Sequence, residues 1–384
     1  MKRMTGAQGA WLAAIVFLLF TVGQSRKGEA SAAPGEWRWA LTGSLNEARS
    51  GHTATLLSDG RVLVAGGLAP SAITASAEVF DPVAGVWSVV GSMAAPRVGH
   101  TATRLADGRV LVAGGRDDHD EVLDSAELFD PATGTWSAAG RMGSARAGHA
   151  AVLLNDGDVL ISGGFDEDET KSYSVRYHPA TGAWTWAGAM NKGRAYHTAT
   201  VLLDGRVLVV GGYLPGNVAE LFDPATDTWR YAGGRGVGFP DWHAATRLDD
   251  GRVLVTGENV TARYDPASES WTGEPKWWNM AHHAAALMGD GRVLICGGYD
   301  NSVNFPYDSG YLDFASIFDP QTDEWGYSPS MTQPRVDHTA TRLLDGRVLV
   351  VGGYRDGSLA SAELYAPFLL PFAVYAPVLV QAGE

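Results

Sequence analysis

Residues 97–142 read RVGHTATRLADGRVLVAGGRDDHDEVLDSAELFDPATGTWSAAGRM. His100 to Ala106 reads as a strand, and Asp107-Gly108 supplies the positive φ angles of a tight hairpin turn. Arg109 to Ala113 is a second strand closed by Gly114-Gly115, and a variable loop follows. Ser125 to Phe129 makes a third strand, Asp130-Pro131 with Gly134 the next turn, and Trp136 to Met142 a fourth strand. Four short antiparallel strands with regularly placed turns form one unit of a radial repeat.

The unit recurs along the chain. Seven histidines, His52, His100, His149, His197, His243, His283 and His338, each precede an Asp-Gly turn whose glycine is Gly60, Gly108, Gly157, Gly205, Gly251, Gly291 or Gly346. Each turn leads into an apolar run ending in a glycine doublet or, at Gly257-Glu258, its remnant. Fourth-strand tryptophans also number seven, Trp39, Trp87, Trp136, Trp184, Trp229, Trp271 and Trp325, but they are offset from the doublets. Trp39 has no three strands before it, and the last unit ends at Tyr365-Ala366-Pro367 with no tryptophan after it. The economical solution is an all-β, seven-bladed propeller in which residues 37–45 complete the last blade and close the ring, leaving no open sheet edge.

The glycine doublet, the aromatic-Asp-Pro and the Gly-x-Trp together resemble the kelch family over residues 37–367. The spelling Arg-x-x-His-Thr-Ala-Thr with Asp-Gly-Arg-Val-Leu-Val is similar to its bacterial, galactose-oxidase-like branch. That resemblance implies the propeller fold and leaves function open, since propellers host binding proteins and enzymes alike. Arg194-Ala195-Tyr196-His197 is similar to the tyrosine-bearing first strand of the copper radical oxidases, where two tyrosines and two histidines hold copper and one tyrosine is cross-linked to a cysteine. The rest of that pattern is missing. Trp242-His243, His282-His283 and Asp337-His338 stand where further Tyr-His pairs would be. The single cysteine, Cys296, lies two blades from Tyr196. Residues 368–384 offer no histidine to stand for the one that family's C-terminal domain supplies. The sequence therefore assigns no copper, no other metal and no cofactor.

Residues 1–32 read as a secretory signal: Lys2 and Arg3, an apolar stretch from Trp11 to Val22, and a small-residue cleavage site at Ala30-Ser31-Ala32. The expected address is secreted or extracytoplasmic, with no membrane insertion after cleavage. The propeller is assigned to residues 33–367 and an apolar tail, broken by Pro371 and Pro377, to 368–384. Loss of residues 1–32 removes Lys2, Arg3, Arg26 and Lys27 together with Glu29, so the formal charge moves from −14 to −17. Such an acidic chain is a poor partner for nucleic acid, whose phosphates need basic groups. One cysteine excludes a disulfide framework.

A residue present in every blade is most simply a blade part, and the seven histidines are read that way. Arg49, Arg97, Arg146, Arg194 and Arg335 keep company with Glu78, Glu127, Glu220 and Glu363, both types missing from blades five and six, which points to a structural ion pair; Val175 in blade three is the exception. The functional signal is departure from the repeat. Immediately before the histidine, blades one to three carry Gly51, Gly99 and Gly148, whereas blades four to seven carry Tyr196, Trp242, His282 and Asp337. After the doublet, on the same face, stand Phe165, Tyr213, Tyr299 and Tyr354, and blade five adds Trp277 and Trp278. Half of one face is thus lined by glycine and half by aromatics with a few ionisable groups, the asymmetry a ligand site needs.

The expectation is a monomeric binding module for a carbohydrate or protein ligand, with Tyr196, Trp242, His282, Asp337, Tyr213, Tyr299, Tyr354 and Trp278 at the rim and no catalytic residue assigned. The alternative is an enzyme on the same face, a metal-dependent oxidase or a hydrolase or lyase, drawing on a cluster of His243, His282 and His283 near Asp337. The long loop Tyr299 to Phe314, with Asp300, Asn301, Asn304, Asp308 and Asp313, is a candidate lid, while Asp117 to Glu121 and Asp166 to Glu169 read as solvated loop tips.

Overall fold

The computed structural model describes residues 36–367, apart from 168, 214–217, 235–238, 240–241, 259, 276–279 and 301–309. The signal segment, Trp277, Trp278, most of the candidate lid and the tail lie outside the described residues. All regular elements among the described residues are strands. They form seven four-stranded antiparallel sheets and one two-stranded extension. Blade two runs Thr101–Arg104, Val110–Ala113, Ser125–Asp130 and Thr135–Arg141. Its innermost strand is shorter than the sequence suggests, because His100 turns out of the ladder to lock the neighbouring blade and Leu105-Ala106 belong to the hairpin turn.

Closure follows the expected scheme. Trp37–Leu41 pairs antiparallel with Ala362–Pro367, with Trp37 opposite Pro367 and Leu41 opposite Glu363, and so completes the sheet begun by Thr339–Arg342 and Val348–Val351. The seven innermost strands contact one another in a closed circle, blade seven against blade one included. The second strand of each blade is buried throughout, as in Val62–Ala65 and Val293–Cys296, because it is sandwiched between sheets.

What joins blade to blade is the histidine. Each of the seven is buried, and each imidazole Nε2 meets a hydroxyl or thiol of the preceding blade. His52 reaches Thr339 Oγ1 at 3.1 Å, His100 Thr53 at 3.1 Å, His149 Thr101 at 2.8 Å, and His243 Thr198 at 2.9 Å. Where the first-strand threonine is replaced by Ala150, Ala244 or Ala284, the residue opposite it on the second strand supplies the partner. Ser162 Oγ then lies 3.0 Å from His197, Thr256 Oγ1 2.8 Å from His283, and Cys296 Sγ 3.7 Å from His338. Cys296 is the third solution to one bonding requirement. Burial pushes its thiol up to about 12.

The doublet exists for the same lock. A Cβ on Gly66 would stand 2.6 Å from both the Arg97 carbonyl and His100 Cε1, and one on Gly67 2.9 Å from His52 Cβ. Gly67 N donates to the Arg97 carbonyl at 2.8 Å. Only glycine admits both neighbours at φ values of 63° and 98°.

The ion pairs hold within blades. Arg97 donates to the carbonyls of Gly114 and Ser125 and to Glu127 Oε1 at 2.9 Å, and Glu127 Oε2 accepts from Ala94 N at 2.8 Å. Arg49–Glu78, Arg194–Glu220 and Arg335–Glu363 repeat the pairing. Arg146, in the blade that carries Val175 in place of the glutamate, instead lies 5.0 Å from the Tyr173 ring centroid, and burial, only partly offset by Tyr173 and Asp166, pulls its guanidinium down to about 10.

Two predictions follow from the lock. Burial, reinforced by neighbouring arginines, holds His52, His100 and His149 down at about 3; burial holds His283 at about 4. These folded values lie below the unfolded imidazole, so between them the unfolded chain binds more protons. Stability is therefore complete above about pH 6.5 and is lost as pH falls, by about 1.4 kcal/mol per unit for each histidine. Calorimetry should show Tm falling steeply between pH 6.5 and 4, and a flat profile would mean that the imidazoles are charged in the fold. Separately, Cys296→Val should cost about 1–3 kcal/mol by orphaning His338. Ala284→Thr in the same chain should restore most of that loss in urea unfolding.

Candidate functional site

The residue before each lock histidine sits where the chain turns into the innermost strand. Here the backbone is left-handed in all seven blades: φ is 59° at Gly51, 66° at Gly99, 60° at Gly148, 56° at Tyr196, 58° at Trp242, 56° at His282 and 51° at Asp337. Four side chains thus occupy a conformation that L-residues adopt at a cost of about 1–3 kcal/mol each. Backbone bonds tie these positions around the ring: Tyr196 N to Gly148 O at 2.7 Å, Gly51 N to Asp337 O at 2.9 Å, and His282 N to Trp242 O at 3.3 Å.

Their side chains are in contact. Phe165 and Tyr196 ring centroids lie 5.6 Å apart, Tyr196 and Trp242 4.3 Å, and Trp242 stacks on His282 at 4.2 Å with 21° between planes. His282 Nδ1 meets Asp337 Oδ1 at 2.8 Å. The result is a continuous arc through blades three to seven. Gly148 makes room for it, since a Cβ there would press on Tyr196 and Phe165 at 3.0 and 3.1 Å. Tyr196 and Trp242 are 36% and 38% exposed, which suits a solvent-facing surface rather than core packing. Burial nevertheless pushes the Tyr196 phenol up.

The residues after the doublets reach the same face, because each pairs with the residue two before the histidine. Phe165 bridges Ala147, Tyr213 bridges Ala195, and Tyr354 bridges Val336. In blade six the bridge grows into a two-stranded ribbon, Met280–Ala281 with Tyr299–Asp300. Two hollows result, one on each side of Trp242. The first, about 520 Å³, is lined by Trp242, Glu258, His282, Tyr299, Tyr311, Asp337 and Tyr354 among others. The second, about 530 Å³, lies among Phe165, Asp166, Glu167, Glu169, Tyr196, Tyr213 and Trp242.

Seven of the eight expected rim residues therefore line these hollows, and Trp278 lies outside the described residues. The sequence reading missed Glu258 and gave Tyr311 no place at the rim. Glu258 was signalled by the broken doublet Gly257-Glu258, where a carboxylate stands in place of the second glycine.

The expected histidine cluster does not form. His243 and His283 face the preceding blades as locks, and only His282 lines a hollow. Copper-radical chemistry is not matched by the donors either. Tyr196 stands between Phe165 and Trp242, while Cys296 is buried against His338, so no cysteine is placed to cross-link a site tyrosine. Among the described residues, one group has the spacing of metal ligands: Asp117, Asp118 and His119 in a blade-two loop. Asp117 Oδ1 there accepts from the backbone N–H groups of His119 and Glu121, which makes the loop an ordinary turn.

The Attractin/LZTR1 beta-propeller profile matches residues 35–223 and the Kelch motif profile residues 280–332. The chain is a kelch-repeat β-propeller. Curated proteins similar to it include Kelch-like protein 36 of Bos taurus, 33% identical over 111 residues, 28% of this chain and 17% of that protein. Kelch-like protein terF of Aspergillus terreus is 29% identical over 105 residues, 27% of this chain and 22% of that one. The chain thus spans only about a fifth of these relatives' length. A solved fungal alcohol oxidase of the AA5 family, in complex with copper, superposes with a TM-score of 0.69 at 17% identity, over 87% of this chain and 77% of its own. At that identity the likeness is one of fold. Kelch propellers are in general protein-interaction modules.

If the arc is a functional surface and not core packing, Trp242→Gly should move stability in urea unfolding by no more than about 1 kcal/mol. Relief of the left-handed strain offsets the entropy cost of glycine and the lost stacking on Tyr196 and His282. A loss of about 3–5 kcal/mol would mark the ring as core.

Proposed function

We propose that this kelch propeller is an exported binding module that takes a protein or carbohydrate ligand on the face carrying Tyr196, Trp242, His282, Asp337, Tyr213, Tyr299 and Tyr354. One observation carries the reading: four successive blades hold large or charged side chains in a left-handed backbone where three other blades use glycine. Strain retained where a cheaper residue fits is expected of a working site. The half-exposed, stacked rings offer a wide apolar area with polar edges, the chemistry of recognition surfaces. Residues 1–32 have the charge and apolar pattern of an export signal, which would remove the protein from the cytoplasm.

A second reading rests on the 2.8 Å contact of His282 Nδ1 with Asp337. A carboxylate that orients an imidazole leaves Nε2 for proton transfer, so the same face could serve a hydrolase or lyase. No serine, threonine, cysteine or lysine stands beside it among the described lining residues, and binding is therefore preferred.

Glycan and peptide arrays probed with the wild-type protein and with Trp242→Gly test the proposal. Ligands should be retained by the wild type and lost, by at least about tenfold in affinity, from the variant. Array ligands bound equally by both would place recognition elsewhere.

A further inference from the structure

The two hollows flanking Trp242 share a chemistry that narrows the ligand. Every formally charged side chain lining them, apart from the titratable His282, is a carboxylate: Glu258 and Asp337 in the first, Asp166, Glu167 and Glu169 in the second. No lysine or arginine is among the described lining residues of either. The walls between these carboxylates are aromatic faces. In the first hollow Tyr299 and Tyr311 meet edge to face at 5.5 Å, and Tyr311 lies 6.2 Å from Tyr354. In the second, Phe165, Tyr196 and Trp242 continue the stack.

An aromatic box with carboxylates on its rim attracts cations twice over, through the ring quadrupoles and through charge. A neutral sugar would draw on the rings alone, and an acidic ligand would meet like charge. The protein seats its own basic side chains beside this site by the same means. Arg116 lies 5.5 Å from the Phe165 centroid, at the end of the arc, and pairs with Asp120. Lys171 is buried against Asp166, lies 3.8 Å from Glu169, and is 5.9 Å from the Tyr173 ring. Lys171 answers part of the second hollow's charge, and in the first His282 meets Asp337.

We infer that the ligand of this face is a basic protein segment, whose lysine or arginine side chains enter the two hollows on either side of Trp242. The inference rests on the binding-module reading and selects a cationic peptide from the ligands that reading allows. The acidic balance of the chain, formally −14, favours encounter with such a partner but does not place it. Placement belongs to the aromatic walls.

The test is titration of the purified full chain with hexalysine, hexa-arginine, hexaglutamate and chitohexaose, read by tryptophan fluorescence and calorimetry at two salt concentrations. Wild type is compared with Trp242→Gly, with Asp337→Asn, which keeps a residue tolerant of the left-handed backbone, with Glu258→Gln, and with Glu324→Gln on an outer strand as a charge control. The basic peptides should bind, with affinity weakening as salt rises. Trp242→Gly should lower it about tenfold or more, Asp337→Asn and Glu258→Gln severalfold each, and Glu324→Gln not at all. Equal weakening by Glu324→Gln, or none by Trp242→Gly, would reduce the binding to diffuse attraction and overturn the inference. Trp242-dependent binding of chitohexaose in place of the basic peptides would overturn the cation inference while leaving the binding module standing. Trp242-dependent binding of none of the four would also overturn the cation inference, and the arrays would then decide the module itself.

Discussion

The structure depends on one contact repeated around a circle: a neutral, buried imidazole that docks on the glycine doublet of the preceding blade and bonds to its hydroxyl or thiol. A propeller is held by no sheet that crosses from blade to blade, so its cohesion comes from side-chain packing between sheets and from a few directed bonds. The histidine supplies both. It fills the space over the doublet, where a Cβ would collide, and its Nε2 fixes the angle of approach. The exchange of Thr53, Thr101, Thr198 and Thr339 for Ser162, Thr256 and Cys296 shows that the bond is the constraint and the residue type is free.

The same constraint explains why the fold was legible. The histidine, doublet and turn recur because each blade meets the same neighbour in the same way, so the period of the sequence is the period of the packing. The ring closure was legible for a similar reason: seven tryptophan strands offset against seven doublet strands leave residues 37–45 and the final three strands incomplete except together. The arginine and glutamate pairs could be read from their joint absence in blades five and six. Strand limits were less legible. His100 looks like the first residue of a strand because it alternates correctly with Ala102 and Arg104, yet its partner lies in another blade, a tertiary fact that local pattern does not carry.

The candidate site was legible where it breaks the repeat and illegible where it does not. Tyr196, Trp242, His282 and Asp337 stand out against Gly51, Gly99 and Gly148, and the structure adds the reason: the glycines are there for a left-handed backbone, so their replacement is not neutral drift into free space. His243 and His283 misled the reading for the opposite reason. Beside His282 they look like a cluster, but adjacent residues at the start of a strand point to opposite sides, and the lock claims both. Tyr311 returns to the face from the far end of the blade-six loop, a path that no spacing rule predicts.

Lock and site are therefore two uses of one turn. The histidine faces into the blade interface and must be uncharged there; the residue before it turns away from that interface and carries no packing duty in blades one to three, where glycine suffices. That division lets the rim vary without loosening the ring, provided the backbone cost of a left-handed side chain is met elsewhere. In blades four to seven it is met by stacking: each ring or imidazole from Phe165 to His282 rests on the next, and Asp337 ends the row. Because each member holds its neighbour, the arc is pre-organised, and a ligand entering either hollow meets walls already in place. Affinity at such a surface need not cover the cost of ordering its side chains, and a scaffold fixed by buried contacts is what allows that order to persist without any partner.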